Sequence, residues 1–116
     1  MALTKTRTAI TQVTATGQST APDVSNAYRS SFYITHVNGT GTITVGCTVQ
    51  VQVRPTGSST YYNFGGGLKG NLTASATQYW VVELPDDAAD TRLDYTAPTG
   101  STGHTLDGEV GEITAI

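Results

Sequence analysis

The chain is short of charge, of cysteine and of helical pattern. Only 13% of its 116 residues are Asp, Glu, Lys or Arg, about half the roughly 25% usual in soluble domains. The single cysteine, Cys47, excludes an intrachain disulfide. It lies in phase with neighbouring valines, as a small apolar core residue would. His36 and His104 are the only histidines, and their spacing carries no metal signature. No window places apolar residues three and four apart, so no amphipathic helix is expected. No apolar run is long enough for a membrane-spanning helix, and the amino terminus MALTKTRTAITQV lacks the apolar stretch of a secretory signal. These absences predict a protein made in a cytoplasm, with no membrane partner. A formal net charge of -3 argues against a nucleic-acid partner, which would call for a basic surface.

In place of charge stand Thr, Ser and Gly. Threonine is about one residue in five, and its branched β-carbon suits the exposed face of a strand. The clearest pattern is Thr42–Arg54, TITVGCTVQVQVR, in which Ile43, Val45, Cys47, Val49, Val51 and Val53 fall on alternate positions. That period of two defines a strand with one buried and one wet face. Ala27–Val37 is a second strand, with Phe32, Ile34 and His36 on one face and Tyr33 and Val37 on the other. Asn38-Gly39 tolerates positive φ and predicts a hairpin that makes these two strands neighbours. A short strand over Tyr61–Phe64 follows the turn at Pro55–Ser59. Thr77–Leu84 alternates with Trp80, Val82 and Leu84 inward and Tyr79 and Val81 outward. Pro85–Asp90 is expected to form one helical or 3₁₀ turn, Thr91–Thr96 a strand, and Leu106–Ile116 the last one. The reading is one all-β domain, an antiparallel sandwich of jelly-roll-like type with about seven or eight strands. Residues 17–116 form the sandwich and residues 1–16 an extended arm or first strand.

Charge is unevenly placed. Lys5 and Arg7 make the arm basic, whereas eight of the nine acids lie from Glu83 onward, where Arg92 is the one Lys or Arg. Such a split can pair the arm with the acidic half of another copy or of a partner. The arm's hydroxyl-rich stretch has few apolar groups with which to fix itself to its own domain, so contacts from neighbouring chains are expected to hold it.

Motifs with chemistry are weak. Gly65-Gly66-Gly67-Leu68-Lys69-Gly70 has the spacing of a dinucleotide turn but no following helix. His36, His104 and an acid such as Asp107 hold zinc only if the fold unites them. Asp86, Asp87 and Asp90 lack the glycine and terminal glutamate of a calcium loop. Gly100-Ser101-Thr102-Gly103 is not a nucleophile elbow. No cofactor, no metal and no catalytic residue is therefore expected. Tyr61, Tyr62, Phe64, Tyr79 and Trp80 offer a sugar-stacking platform, with Tyr62 and Tyr79 its most exposed members and Trp80 in the core.

The carboxy-terminal half carries Leu84-Pro85, Ala88-Ala89-Asp90-Thr91-Arg92-Leu93-Asp94-Tyr95, Gly100-Ser101-Thr102-Gly103, Leu106 and Glu109-Val110. With the small size, the Thr/Gly/Ser richness and the amino-terminal arm, it resembles the small all-β accessory proteins encoded among the virion genes of tailed bacteriophages. The similarity is greatest to capsid decoration, or cement, proteins. The tulip-like decoration proteins are richer in Pro and Ala and lack the long alternating strand, so that subfamily is not assigned. The resemblance implies a non-enzymatic virion protein, made in the host bacterial cytoplasm. It would bind the major capsid protein or other virion proteins as a homo-oligomer, a trimer being expected. Strand edges and the arm would extend neighbouring sheets, with Thr4, Lys5, Arg7, Ile10, Val13, Tyr62 and Tyr79 as assembly contacts. A tail or neck component, and a carbohydrate-binding module of a fibre or spike, are the alternative functions.

Overall fold

Alternation of β-branched apolar residues with Thr, Gln and Ser builds this molecule. The computed structural model describes residues 3–115 and contains nine strands. They are β1 (Thr4–Ala9), β2 (Gly17–Gln18), β3 (Arg29–Val37), β4 (Thr48–Pro55), β5 (Tyr62–Asn63), β6 (Leu68–Lys69), β7 (Thr77–Glu83), β8 (Ala88–Thr96) and β9 (Thr105–Ala115). Sheet I has the order β1-β9-β3-β7, and sheet II the order β2-β8-β4-β5 with β6 also on β4. Every pairing is antiparallel. The expected all-β, two-sheet architecture is therefore present. Among the described residues no helix is long and apolar enough to cross a membrane.

The core lies between the sheets. From sheet I, β3 contributes Phe32 and Ile34 and β9 contributes Leu106 and Val110; from sheet II come Val49, Val51 and Val53 of β4 and Leu93 and Tyr95 of β8. Trp80 and Val82 of β7 pack against this cluster from the side, on the face that alternation assigns them. Cys47 is fully buried ahead of β4, as its phase with the valines predicts. Full burial of each such aliphatic side chain is worth about 1.5–3 kcal/mol.

Four local expectations are corrected. First, Asn38-Gly39 makes no hairpin: β3 pairs with β7 and β9 in sheet I, while β4 lies in sheet II. Gly39 serves close approach instead, because a Cβ there would sit 1.9 Å from the Thr102 carbonyl oxygen. Second, the alternating run becomes a strand only at Thr48. Ile43 is buried but Val45 is 59% exposed, since 38–47 is the stretch that crosses between sheets. Gly46 there lies against Gly70, where a Cβ would meet the carbonyl oxygen at 2.1 Å. Third, Pro85–Asp90 forms no helical turn. Asp86 and Asp87 make a tight reversal closed by Ala88 N–H donating to Pro85 O, and the small Ala88 and Ala89 are already β8 and buried.

Fourth, the arm has a pairing partner within its own chain. Thr4–Ala9 is β1, hydrogen-bonded along β9 of the same chain. Ile10 and Val13 then turn inward, Ile10 into the core cluster and Val13 against it, with Val13 and Leu106 exchanging backbone hydrogen bonds. Backbone pairing supplies what the apolar side chains lack. Met1, Ala2 and Ile116, the outer ends of the expected arm and last strand, lie outside the described residues.

Candidate functional site

The two sheets finish their edges differently. Sheet II is bordered by two-residue strands: β2 beside β8, and β5 and β6 along β4. Sheet I is bordered by full-length β1 and β7, and among the described residues no strand pairs with the outer edge of either. A long unpaired edge is a template for another chain unless charge, proline or a bulge protects it. β1 is protected by Lys5, Arg7 and a register shift between Thr4 and Lys5. β7, with the sequence TQYWVVE, carries one charge, Glu83, and no proline or bulge.

The outer face of sheet I adds an apolar patch beside that open edge. The register aligns Tyr33 with Val81 and with Glu109, and Thr35 with Tyr79 and with Asp107. Tyr79 is 75% exposed, Val81 63% and Tyr33 40%. Toward β1 the face becomes charged. Arg7 pairs with Glu109 and places its guanidinium 5.3 Å from the centre of the Tyr33 ring, while Arg29 lies 3.9 Å from Glu83. Gly111 has no side chain to fill the space beside Tyr33; a Cβ there would come within 3.1 Å of the ring. The resulting groove, about 520 Å³, is lined by Lys5, Arg7, Arg29, Tyr33 and Glu112. Burial, reinforced by Asp23, raises the Glu112 pKa above its ordinary value.

The predicted contact residues are distributed over three environments. Thr4, Lys5 and Arg7 are exposed on β1. Ile10 and Val13 belong to the interior and its border, where they pack within the domain itself. Tyr79 is on β7 of sheet I, whereas Tyr62, also exposed, pairs with Val53 at the edge of sheet II. The expected tyrosines are thus on different sheets and form no common platform. Tyr61 lies beneath Arg92, whose guanidinium is 3.7 Å from the ring centre. Tyr33, Val81 and Arg29 complete the sheet I face; alternation placed Tyr33 and Val81 outward, but nothing local said that they would adjoin.

The two histidines do meet, although not as a metal site. His36 Nε2 is 2.8 Å from Tyr95 Oη, and the same hydroxyl is 2.8 Å from His104 Nδ1. His36 and Tyr95 are fully buried, and His36 Nδ1 has no hydrogen-bond partner. Burial, helped by the neighbouring His104, lowers the pKa of His36. Burial, with a smaller contribution from Cys47, raises that of Tyr95. The signal for an interior His36 was its phase with Phe32 and Ile34; nothing in the sequence linked it to residues 95 and 104. Asp107 faces the other way and accepts hydrogen bonds from Gln12 Nε2 at 3.2 and 3.1 Å. Asp90 is held by Arg54 at 2.7 and 3.0 Å, apart from Asp86 and Asp87 in their exposed turn. Among the described residues no group of three or more His, Cys, Asp or Glu side chains is arranged to hold a metal ion.

Fold and surface together define an all-β, two-sheet domain with an apolar sheet edge left open. Its fold is similar to that of the SPBc2 prophage-derived protein YomS, with a TM-score of 0.54 and 12% sequence identity over 97% of this chain and 96% of that one. A protein of the Bacillus endospore appendages, which form a novel family of disulfide-linked pili, aligns with a TM-score of 0.41 and 10% identity over 100% of this chain and 93% of that one. No protein-family model and no curated protein matches the sequence.

Proposed function

We propose that this chain is a non-enzymatic structural protein of a tailed-phage virion, and within the virion a decoration protein that stabilises the head by contacts between subunits. The observation that carries the proposal is the full-length open strand edges of sheet I beside the Tyr33, Tyr79 and Val81 patch. Such a surface suits β-augmentation, in which backbone hydrogen bonds supply binding and side chains set selectivity. The likeness of fold to a prophage-derived protein supports a phage origin, as do the composition and size. In this reading β1, with Lys5 and Arg7, adds to an acidic or strand-edged surface of a shell subunit, such as the major capsid protein. The protein is made in the host bacterial cytoplasm and ends in the particle.

One observation favours a second location. β1 and β7 lie at opposite margins of one sheet, so head-to-tail contacts could close a ring, as a tail or neck component requires. Immunogold microscopy decides between them, using antibody against this chain on particles from the phage or prophage that carries the gene. Label over the heads supports decoration. Label confined to the tail or collar transfers the assignment there, and particles without label refute the virion role.

A further inference from the structure

We propose that β7 pairs with β7 of a second copy of this chain, antiparallel and centred on Trp80, to form a two-fold dimer with one continuous sheet. This deepens the reading of the chain as an assembly subunit but depends only on the purified chain. Failure of the virion assignment therefore leaves it standing, and its own failure leaves the virion assignment open.

The backbone sets which groups of β7 are available. Leu84 N–H donates to Ser30 O and Asn38 N–H donates to Ala76 O, just beyond the two ends of the β3–β7 ladder. In an antiparallel ladder the hydrogen-bonded positions alternate. The even-numbered residues of β7 therefore bond to β3, and Thr77, Tyr79, Val81 and Glu83 direct their N–H and C=O groups outward. All four are exposed. A partner must match that parity: outward-facing residues have to fall opposite outward-facing residues.

A second β7 meets this condition along its full length in one register. Thr77 falls opposite Glu83 of the second copy, Tyr79 opposite Val81, and Trp80 opposite its own equivalent on the axis. Registers displaced by two residues keep the parity but leave strand ends unpaired. In the centred register Tyr79 of each copy faces Val81 of the other, giving the dimer two aromatic–β-branched pairs, a favoured cross-strand combination. The two Glu83 carboxylates sit at opposite ends of the pairing, and a parallel in-register arrangement would bring them together. Each Trp80, partly buried at the flank of its own core, would gain an aromatic neighbour. β1 is the poorer partner. It offers Lys5, Arg7 and Ala9 at its outward positions, since Ile10 N–H bonds to Gly108 O and alternate residues follow it. None of these provides Tyr79 or Val81 with an aromatic or branched apolar mate.

The test is the solution mass of the chain by light scattering from about 1 µM to 1 mM, with Trp80 emission followed in parallel; Trp80 is the only tryptophan. Expected is a reversible rise to two copies, in the micromolar range typical of a small interface, accompanied by a blue shift of the emission. Val81→Pro removes an N–H that β3 does not use, which an edge strand tolerates. It should weaken dimerisation by more than about tenfold, because each copy loses a hydrogen bond. Tyr79→Lys, at a 75% exposed position, should do the same with an unchanged circular dichroism spectrum, and it keeps the test valid if the proline variant does not fold. Ala9→Lys on β1 should leave the mass unchanged. A single copy at every concentration overturns the pairing. So do a three-copy mass, open-ended growth, dimers that survive both β7 variants, or dimers lost in the β1 variant.

Discussion

Replacing Tyr95 by Phe isolates one hydroxyl at the centre of the molecule. The ring and most of the volume remain, so the change acts on hydrogen bonding. Tyr95 Oη has one proton and stands 2.8 Å from both His36 Nε2 and His104 Nδ1. It therefore donates to one imidazole and accepts from the other. Losing the two bonds costs about 0.5–1.5 kcal/mol each. His36 adds to this, since its Nδ1 already lacks a partner and the variant leaves both ring nitrogens unpaired in the interior. Such desolvation costs about 1–3 kcal/mol. Because these terms overlap, the expected loss is about 2–4 kcal/mol, a large share of the roughly 5–15 kcal/mol that holds a domain folded. Urea denaturation measures it: the midpoint should fall with the slope unchanged, and Tm should drop by roughly 10 °C. His104→Ala should cost less, about 1 kcal/mol, because His104 is partly exposed and water can replace it beside the hydroxyl. If Tyr95→Phe stays within about 0.5 kcal/mol of the parent, the hydroxyl does not hold the two imidazoles and the reasoning fails.

The same cluster sets a pH profile, measurable by denaturation across a buffer series. The unfolded chain protonates His36 near pH 6.5, whereas the folded chain resists until lower pH, so the histidine's contribution falls as pH drops below about 6.5. On the alkaline side the Cys47 thiol, raised chiefly by burial, and Tyr95 hold their protons in the fold while the unfolded chain releases them near 9.0 and 10.0. Stability should therefore decline above about pH 9. Glu112 acts in the opposite sense to His36, favouring the folded state at low pH and losing that benefit as pH rises above 4.5. Native Cys47 should react with a thiol reagent only at the rate of opening, and a fast stoichiometric reaction without denaturant would contradict its burial. Asn38 is buried and donates to Asn71 O, Asn71 Oδ1 and Thr73 O. Asn38→Asp should therefore cost more than Asn38→Ala in thermal melting, the latter about 1–3 kcal/mol. Deleting residues 1–8 should leave a folded but less stable domain, with amide exchange accelerated chiefly along β9; unchanged β9 protection would deny the β1 pairing.

What could be read from sequence was whatever a period of two expresses. The inward face of β3, the placement of Trp80 against Tyr79, and Cys47 through Val53 all follow from alternation, because burial on one face of a strand leaves that mark locally. Partnership leaves none. β3 lies beside strands that begin near residues 77 and 105, and nothing in Ala27–Val37 names them, so the nearest strand in sequence was the wrong neighbour. Val45 kept the alternation while the backbone was crossing between sheets, held by Gly39 and Gly46 where two chain segments nearly touch. Ala88 and Ala89 read as turn because small residues say little about burial. The open edge of β7 is a property of what is missing beside it, and Tyr79 and Val81 alone indicated exposure without showing how the edge would be left.

The position of β9 has a consequence for synthesis. It lies between β1 and β3, so an interior strand of sheet I is translated after both of its neighbours, and Ala9 must wait for Glu109. At roughly 5–20 residues per second, the first strand spends about 5–20 s without its partner. The β3–β7 ladder needs no β9, but β1 joins sheet I only when residues 105–115 have emerged, through pairings distant in sequence and therefore slow. A stall or truncation before Thr105 would release a chain with β1 and β3 both exposed, whereas losing β1 would remove only a margin.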